Sequence, residues 1–199
     1  MNTCKRLSIF LLTLLTACAP PRPAEEVAKP EVLPLTERTE RTTVISSWEI
    51  SGAMAARNKN KAWTASINWL QRGANNYQIR LFGPLGSGTV MIDKKGSVVT
   101  YRDGPKTVTS NNPDQLLQEQ TGIRLPVNNL YYWVRGLPAP GKVQSVKHDR
   151  YNHLILLRQD GYTIEYPGYT SVKNTDLPSR IKLQGKGIFI KMVIKKWSV

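Results

Sequence analysis

The chain is poor in the residues on which metal proteins and many enzymes depend. Its 199 residues include two cysteines, two histidines and 14 acidic residues. Cys4 and Cys18 both belong to an apolar N-terminal leader, so the rest of the chain has no thiol for a disulfide or a thiolate metal site. His148 and His153 lie five residues apart, and a metal site needs three or four converging ligands. We interpret both as solvated loop histidines and predict no metal site.

Two motifs that resemble catalytic or nucleotide-binding loops are incomplete. The segment 136–142, GLPAPGK, resembles a phosphate-binding loop, but Val143 stands where a Ser or Thr would bind magnesium. Ser87 lacks the glycine two residues earlier that a nucleophile elbow requires, because Leu85 is there. We therefore predict a helix-to-strand connection at 136–142, no cofactor and no enzymatic activity, with an esterase as the least favoured hypothesis.

Residues 1–17 have the layout of a secretory signal peptide. Lys5 and Arg6 precede an apolar run, Leu7 to Leu15, which is too short to span a bilayer. The tetrapeptide LTAC that ends at Cys18 resembles the lipobox of bacterial lipoproteins. That resemblance implies a diacylglycerol on the Cys18 sulfur, cleavage before Cys18 and an N-acyl chain such as palmitate. A simple cleaved signal with an incidental cysteine is the alternative.

The predicted lipid anchor has consequences for location. Each buried acyl methylene contributes about 0.8 kcal/mol, so three chains hold a protein on a bilayer essentially permanently. Ala19 follows the cysteine, where an Asp is the usual signal for retention in the inner membrane of Gram-negative bacteria. By this resemblance we expect a lipid-anchored protein of the outer membrane, with its domain facing the periplasm.

Composition divides the rest of the chain in two. Residues 18–43 are rich in Pro, Glu, Thr and Arg and poor in aromatics, which predicts a flexible tether with no fold of its own. Residues 44–199 are long enough for one globular domain. The chain is basic, with a formal net charge of +14. In the periplasm this charge favours phospholipid head groups or an acidic protein over nucleic acid, although it also suits a merely soluble surface.

The pattern of the domain is mainly β. Alternating apolar residues predict half-buried strands over AWTASINWL and NYQIRLF, and a long strand with a kink at Gly52 precedes them. Asn112-Pro113 and Gly122 predict the ends of one helix, and Gly136 the end of a second. Many short strands with hairpin turns indicate an α+β fold: an unclosed, strongly curved antiparallel β-barrel whose short helices form a lid over one opening.

The large apolar side chains of these elements allow two interpretations. The residues concerned are Trp63, Trp69, Tyr77, Ile79, Leu81 and Trp133. In a closed barrel they fill an ordinary core, whereas in a half-open barrel with a helical lid they line a hydrophobic cavity. Periodicity does not decide between these, but cavity volume does. A solvent-connected cavity of several hundred Å³ would favour ligand binding, and a filled interior would argue against it.

One turn carries an apolar residue at its tip. The sequence GPLGSG, residues 83–88, joins two predicted strands, and all of it except Leu85 is typical turn material. A leucine that folds back onto the domain is one interpretation. The other is a small membrane-insertion loop formed by Pro84, Leu85 and Gly86. Burial of one leucine contributes about 1.5–3 kcal/mol, which is too little to anchor a protein but enough to contact lipid and release it.

Several strings together resemble the LolB family of outer-membrane lipoprotein receptors. They are NYQIRLFGPLGSGTVMI, LLQEQTGIRLPVNNLYYWVRGLPAPG and the ending IKMVIKKWSV. The resemblance implies an unclosed β-barrel with a helical lid and no cofactor. It implies a chaperone-like monomer that accepts triacylated lipoproteins from the periplasmic carrier LolA and inserts them into the inner leaflet of the outer membrane. It also places Leu85 at the family's exposed loop leucine, which acts at the insertion step.

A second hypothesis is a non-transport outer-membrane lipoprotein, a structural or assembly accessory whose β domain has a filled core. The interior of the domain distinguishes the two.

Overall fold

The computed structural model describes residues 32–84, 88–122 and 126–199. Within these ranges the chain forms eleven strands and three short helices. The helices are α1 (Leu35–Thr43), α2 (Pro113–Thr121) and α3 (Val127–Trp133). The strands are β1 (Ser47–Arg57), β2 (Ala62–Arg72), β3 (Asn76–Phe82), β4 (Thr89–Lys95), β5 (Val98–Asp103), β6 (Lys106–Ser110), β7 (Val143–His148), β8 (Leu154–Gln159), β9 (Tyr162–Val172), β10 (Thr175–Gly185) and β11 (Ile188–Ser198).

All eleven strands belong to one antiparallel sheet. Its order is β6-β5-β4-β3-β2-β1-β11-β10-β9-β8-β7, so the first and last strands of the chain pair at its centre. Strands β6 and β7 form the two edges of the sheet described here, and the barrel is not closed. The chain passes from one edge to the other through α2 and α3, which therefore cross the opening. The predicted fold class is confirmed.

Side chains alternate between the two faces of the sheet, as the period of a strand requires. The inner face carries the core, including the predicted Trp69 and Ile79. At one end of this core the indole of Trp69 meets that of Trp48 at 4.9 Å, and Trp197 meets Trp48 edge-on at 5.5 Å. This aromatic group fills the interior near the start of β1.

The kink predicted in the strand at Gly52 coincides with an irregularity in the pairing of β1 with β11. The register between β1 and β11 shifts between Ser51 and Gly52. A Cβ built on Gly52 would lie 2.0 Å from the carbonyl oxygen of Val193, so only glycine lets the two central strands approach this closely. The unpaired extra residue is Lys195, so the bulge itself belongs to β11 and lies opposite Gly52.

The predicted ends of α2 are confirmed, whereas α3 ends at Trp133, three residues before the predicted Gly136. Asn112 caps α2 by accepting a hydrogen bond from the backbone N–H of Gln115 at 3.1 Å, and Pro113 occupies the first turn. Gly122 ends the helix with a φ of 74°. The 136–142 segment connects α3 to β7 without regular structure. Hairpin turns lie where Gly96, Gly104 and Gly161 predicted them.

The tether was predicted to have no structure up to residue 43, and this is wrong for its last part. Helix α1 occupies Leu35–Thr43, and its Arg38 is buried. The Arg38 guanidinium donates to Asp176 at 2.9 Å and to the carbonyl of Tyr151 at 3.0 Å. Because these partners lie more than 110 residues away, tertiary contact rather than local propensity stabilises the helix.

The prediction of two solvated histidines is wrong for His153. This side chain is only 8% exposed, and its ring stacks on Tyr169 at 4.4 Å. Its two ring nitrogens lie 3.0 Å from Asp149 and 2.9 Å from Asp176. His148 is half-buried at the end of β7, and desolvation lowers its pKa. No group of three metal-ligating side chains occurs in the described ranges.

None of the described helices is both long enough and apolar enough to cross a bilayer.

Candidate functional site

An apolar cavity lies between the inner face of the sheet and the two crossing helices. Its volume is about 50 Å³, and its wall is almost entirely carbon. The wall draws on both halves of the sheet and on both helices, because the connection from β6 to β7 closes over the inner face. The candidate site is therefore an apolar interior that α2 and α3 cover.

Four of the six predicted lining residues reach this cavity. Trp69, Ile79 and Leu81 line it from the sheet, and Trp133 lines it from α3. Trp63 packs half-buried against the core but is not among the described residues that line the cavity. Tyr77 is buried on the same inner face as Ile79, one layer beyond the wall.

Sequence reasoning did not name the other lining residues. They are Met54, Ile67, Ile92, Leu117, Val127, Leu130, Val134, Ile164, Ile181, Leu183, Ile190 and Met192. The alternation of Ile188, Ile190, Met192 and Ile194 in the last strand is as regular as that of β2, so this signal was available. The alternation identifies the inward-facing residues, but it does not show which of them line a cavity and which are in contact with other side chains on all sides.

The cavity is much smaller than the several hundred Å³ expected for a ligand-binding interior. At about 50 Å³ it is smaller than pockets that enclose drug-sized ligands, which run from roughly 300 to 1,000 Å³. By the volume criterion stated for the sequence, the interior of this conformation is closer to a filled core than to a ligand-binding pocket. The helices pack closely on the sheet, so a long apolar ligand has room only if one of them moves.

The carboxyl end of α3 is fixed to the rest of the domain. The indole N–H of Trp133 donates to Gln159 at 2.9 Å, and the hydroxyl of Tyr166 donates to the Trp133 carbonyl at 2.9 Å. Just after the helix, Arg135 donates to the carbonyl of Ile45 at 2.6 Å. These bonds tie α3 to β8, to β9 and to the segment between α1 and β1.

Arg135 is an unusual buried cation. It is 3% exposed and forms no salt bridge with a carboxylate among the described residues. Burial lowers its pKa, although the rings of Tyr131 and Tyr132 oppose this shift. Its guanidinium lies 4.1 Å from the centre of the Tyr131 ring, in a cation–π contact. The arrangement holds the charge in place without an anion.

Helix α2 is held mainly by apolar contact. Leu116 and Leu117 are each 1% exposed and face the interior. At its end, Asn58 in the β1–β2 turn donates to the Gly122 carbonyl at 2.7 Å. The backbone N–H of Val127 donates to Asp114 at 3.3 Å, which joins the start of α2 to α3. Of the two helices over the cavity, α2 has fewer described polar contacts with the sheet.

The predicted membrane-insertion loop is described only at its base. The N–H of Gly83 donates to the carbonyl of Gly88 at 3.1 Å, which closes the loop, and Pro84 is exposed. Phe82, the last residue of β3, is 37% exposed. Leu85 and Gly86 lie outside the described residues, as does the predicted lipidation site, Cys18.

The loop and α1 lie at opposite ends of the sheet. Helix α1 precedes β1, and it packs on the turn before β10 through Thr42 and Thr175. The loop follows β3, which is antiparallel to β2, and β2 is antiparallel to β1. The loop therefore lies where β1 ends, and α1 lies where β1 begins.

The architecture identifies the structural class. A LolA superfamily protein from Nitrosomonas europaea superimposes with a TM-score of 0.54, although it is only 12% identical, over 84% of this chain and 94% of that one. The two chains therefore share a fold.

Sequence comparison narrows the class to one family. The family model "Outer membrane lipoprotein LolB" matches residues 46–197. The outer-membrane lipoprotein LolB of Coxiella burnetii is 40% identical over 154 residues, 77% of this chain and 72% of that protein. That of Pseudomonas syringae is 36% identical over 189 residues, 94% and 92% of the two chains. The chain belongs to the LolB family of outer-membrane lipoproteins.

Proposed function

We propose that this protein receives triacylated lipoproteins from a LolA-type periplasmic carrier and inserts them into the inner leaflet of the outer membrane. The observation that carries this function is membership of the LolB family, and the almost entirely apolar interior between an unclosed sheet and two crossing helices suits acyl chains. The protein itself is anchored through acyl chains on Cys18, and the domain acts without a cofactor and without catalysis.

Acyl chains enter this interior by displacing α2. The cavity is too small for a chain as it stands, and α2 is attached by leucine packing and by the Asn58 contact. Helix α3 stays in place, because Trp133 and Arg135 bond it to the sheet and to the segment before β1. A chain that takes the place of Leu116 and Leu117 exchanges one apolar neighbour for another, so opening loses little hydrophobic free energy.

Transfer needs no nucleotide on this account. An acyl chain that leaves one apolar cavity for another changes its environment little, and a difference of about 1.4 kcal/mol already gives a tenfold bias. The last step, into the bilayer, is downhill for several acyl chains together. Leu85 on the 83–88 loop contacts lipid at this step, next to the exposed Phe82 and Pro84.

The test is a transfer assay with the full-length lipidated chain in liposomes. A LolA-type carrier loaded with a triacylated lipoprotein is added, and the lipoprotein that sediments with the liposomes is measured over time. We expect transfer well above that to liposomes without the protein. Equal transfer to both would contradict the proposed function and favour the structural or assembly role.

A further inference from the structure

A polar pair lies next to the apolar cavity on the inner face of the sheet. Ile79 and Ile92 face each other across β3 and β4, and both line the cavity. The next inward pair along the same two strands is Tyr77 with Lys94. The inner surface thus changes from hydrocarbon to hydrogen-bonding groups between one inward-facing pair and the next along the two strands.

Both side chains are buried, and among the described residues neither has a partner of opposite charge at hydrogen-bond distance. Lys94 is 8% exposed, and its ammonium donates to the amide oxygen of Asn128 at 3.2 Å. Tyr77 is 6% exposed, and its hydroxyl has no hydrogen-bond partner among the described residues. A buried hydroxyl left unpaired normally costs about 1–3 kcal/mol, so its retention calls for an explanation.

The pair lies between the cavity wall and the exposed residue Asn128. Asn128 is exposed, and it follows Val127, which lines the cavity from the start of α3. Tyr77 packs edge-on to Trp69, another lining residue, at 6.4 Å. A ligand with apolar chains in the cavity would therefore bring its polar end to Tyr77, Lys94 and Asn128.

We infer that Tyr77 and Lys94 bind the ester and amide carbonyl oxygens in the head group of a multiply acylated ligand, while its chains occupy the cavity. This inference rests on the proposed function, in which that ligand is the lipid part of a lipoprotein. Both Tyr77 and Lys94 are hydrogen-bond donors. When the acyl chains are buried, the carbonyl oxygens of the head group lose their hydrogen bonds to water and need new donors.

The surroundings favour a neutral acceptor over an anion. Burial raises the pKa of Tyr77, and the carboxylate of Asp114 raises it further, so a negative charge lies close to the hydroxyl. The Asp114 carboxylate offsets part of the attraction that the Lys94 ammonium has for an anion, whereas it does not repel a neutral carbonyl. Lys94 already donates to a neutral amide oxygen, which is the same type of acceptor.

The experiment uses three acyl probes that carry bromine on their chains, and it follows the quenching of Trp69 and Trp133. The first is an N-acyl, S-diacylglyceryl cysteine peptide, the second its analogue with ether and alkylamine links and no head-group carbonyls, and the third a fatty acid. The full-length chain is used in dilute detergent. We expect the first probe to bind about tenfold more tightly than the second, the range of hydrogen bonds to a charged donor.

Two variants locate this preference. Lys94→Met keeps the apolar stem of the side chain. We expect it to lower the affinity for the first probe about tenfold and to leave the affinity for the second unchanged. Lys95→Met is the matched control, because Lys95 is exposed and points to the other face, and the preference should persist. Tyr77→Phe removes a single oxygen and should reduce the preference by a few-fold, which keeps the test valid if Lys94→Met does not fold.

The outcomes separate this inference from the proposed function. If the first two probes bind with equal affinity, or if Lys94→Met lowers the affinity of both by the same factor, the proposed head-group site is wrong. Binding of acyl chains in the cavity is still supported in that case. Tighter binding of the fatty acid than of the first probe would overturn the choice of a neutral head group. If none of the probes quenches, both the cavity's function and the head-group site are wrong.

Discussion

The imidazole Nε2 of His153 lies 2.9 Å from Oδ2 of Asp176, and the same carboxylate oxygen accepts from Arg38 in α1 at 2.9 Å. On its other side the ring contacts Asp149 at 3.0 Å. One half-buried carboxylate therefore joins the first helix to the start of β10, and His153 contacts the same carboxylate. The attachment of α1 depends on this group of charges.

Replacement of Asp176 should have an effect that depends on pH. The hydrogen bond from His153 is the main cause that lowers the pKa of Asp176, with Ser171 and Arg38 adding to it against desolvation. A carboxyl with a lowered folded pKa stabilises the fold above about pH 4, and that contribution is lost as the pH falls through the folded value. We expect Asp176→Asn to lower the free energy of unfolding by about 2–4 kcal/mol at pH 7.

Urea unfolding between pH 7 and pH 2.5 measures this effect. The difference between the wild type and Asp176→Asn should narrow as the pH falls below about 4. Glu165→Gln is the control, because its ion pair with Lys182 is exposed and should contribute less than about 1 kcal/mol. A difference that is constant across this range would show that Asp176 acts only through packing.

Gly52→Ala should destabilise the domain strongly. The added methyl group would meet the backbone of Val193 at the centre of the sheet, where neither strand can withdraw. We expect a loss of about 3 kcal/mol or more, measured by thermal unfolding. Ser51→Ala, one residue earlier, should change stability by less than about 0.5 kcal/mol. Similar melting temperatures for the two variants would contradict the role of the bulge.

Asn58→Asp tests whether α2 is the moving helix. The change keeps the oxygen that accepts from Asn60 and Lys61 within the turn, but it removes the amide that donates to Gly122. We expect faster uptake of acyl ligand from the carrier, by a few-fold, because one hydrogen bond contributes about 1 kcal/mol. Stopped-flow tryptophan fluorescence measures the rate. Asn60→Asp is the control, and an unchanged rate in Asn58→Asp would argue for another route of entry.

The tryptophans distinguish binding in the cavity from binding elsewhere. Trp69 and Trp133 line the cavity, whereas Trp63 packs on the core outside its wall. Brominated acyl chains quench only indoles within a few ångströms, so Trp69→Phe together with Trp133→Phe should remove most of the quenching. Trp63→Phe should leave it nearly unchanged. If Trp63→Phe had the larger effect, the chains would bind on another surface.

Leu85→Glu should separate acceptance from insertion. Acceptance depends on the cavity, so transfer from the carrier to the protein should remain near normal. Release into liposomes should slow several-fold, because the apolar contact contributes about 1.5–3 kcal/mol and is replaced by a charge. Val98→Glu is the matched control, since Val98 is 44% exposed and lies at the other end of the sheet. Normal release by Leu85→Glu would contradict the loop's role.

The features predicted correctly from the sequence are those that short-range chemistry determines. The ends of α2 follow from Asn112 and Gly122, and the close approach of β11 to β1 follows from the glycine at position 52. The four lining residues that were correctly named lie in segments with regular alternation or helical spacing.

The features that were missed depend on contacts between distant parts of the chain. Helix α1 forms because Arg38 meets Asp176, and no local spacing encodes that pair. His153 is buried because three separate segments converge on it. The cavity volume depends on how closely the helices approach the sheet. Hydrophobic periodicity carries no information about that distance.

The placement of α1 sets a length requirement on the segment that precedes it. The loop at residues 83–88 lies roughly the length of β1 away, about 35 Å for eleven residues. With Cys18 held in the bilayer, the 14 peptide units from Cys18 to Val32 reach at most about 50 Å when fully extended. If Cys18 is anchored as proposed, the loop can touch the same bilayer only when most of that maximum length is used. The number of residues between the lipidated cysteine and the domain would then limit how far the domain can turn away from the membrane.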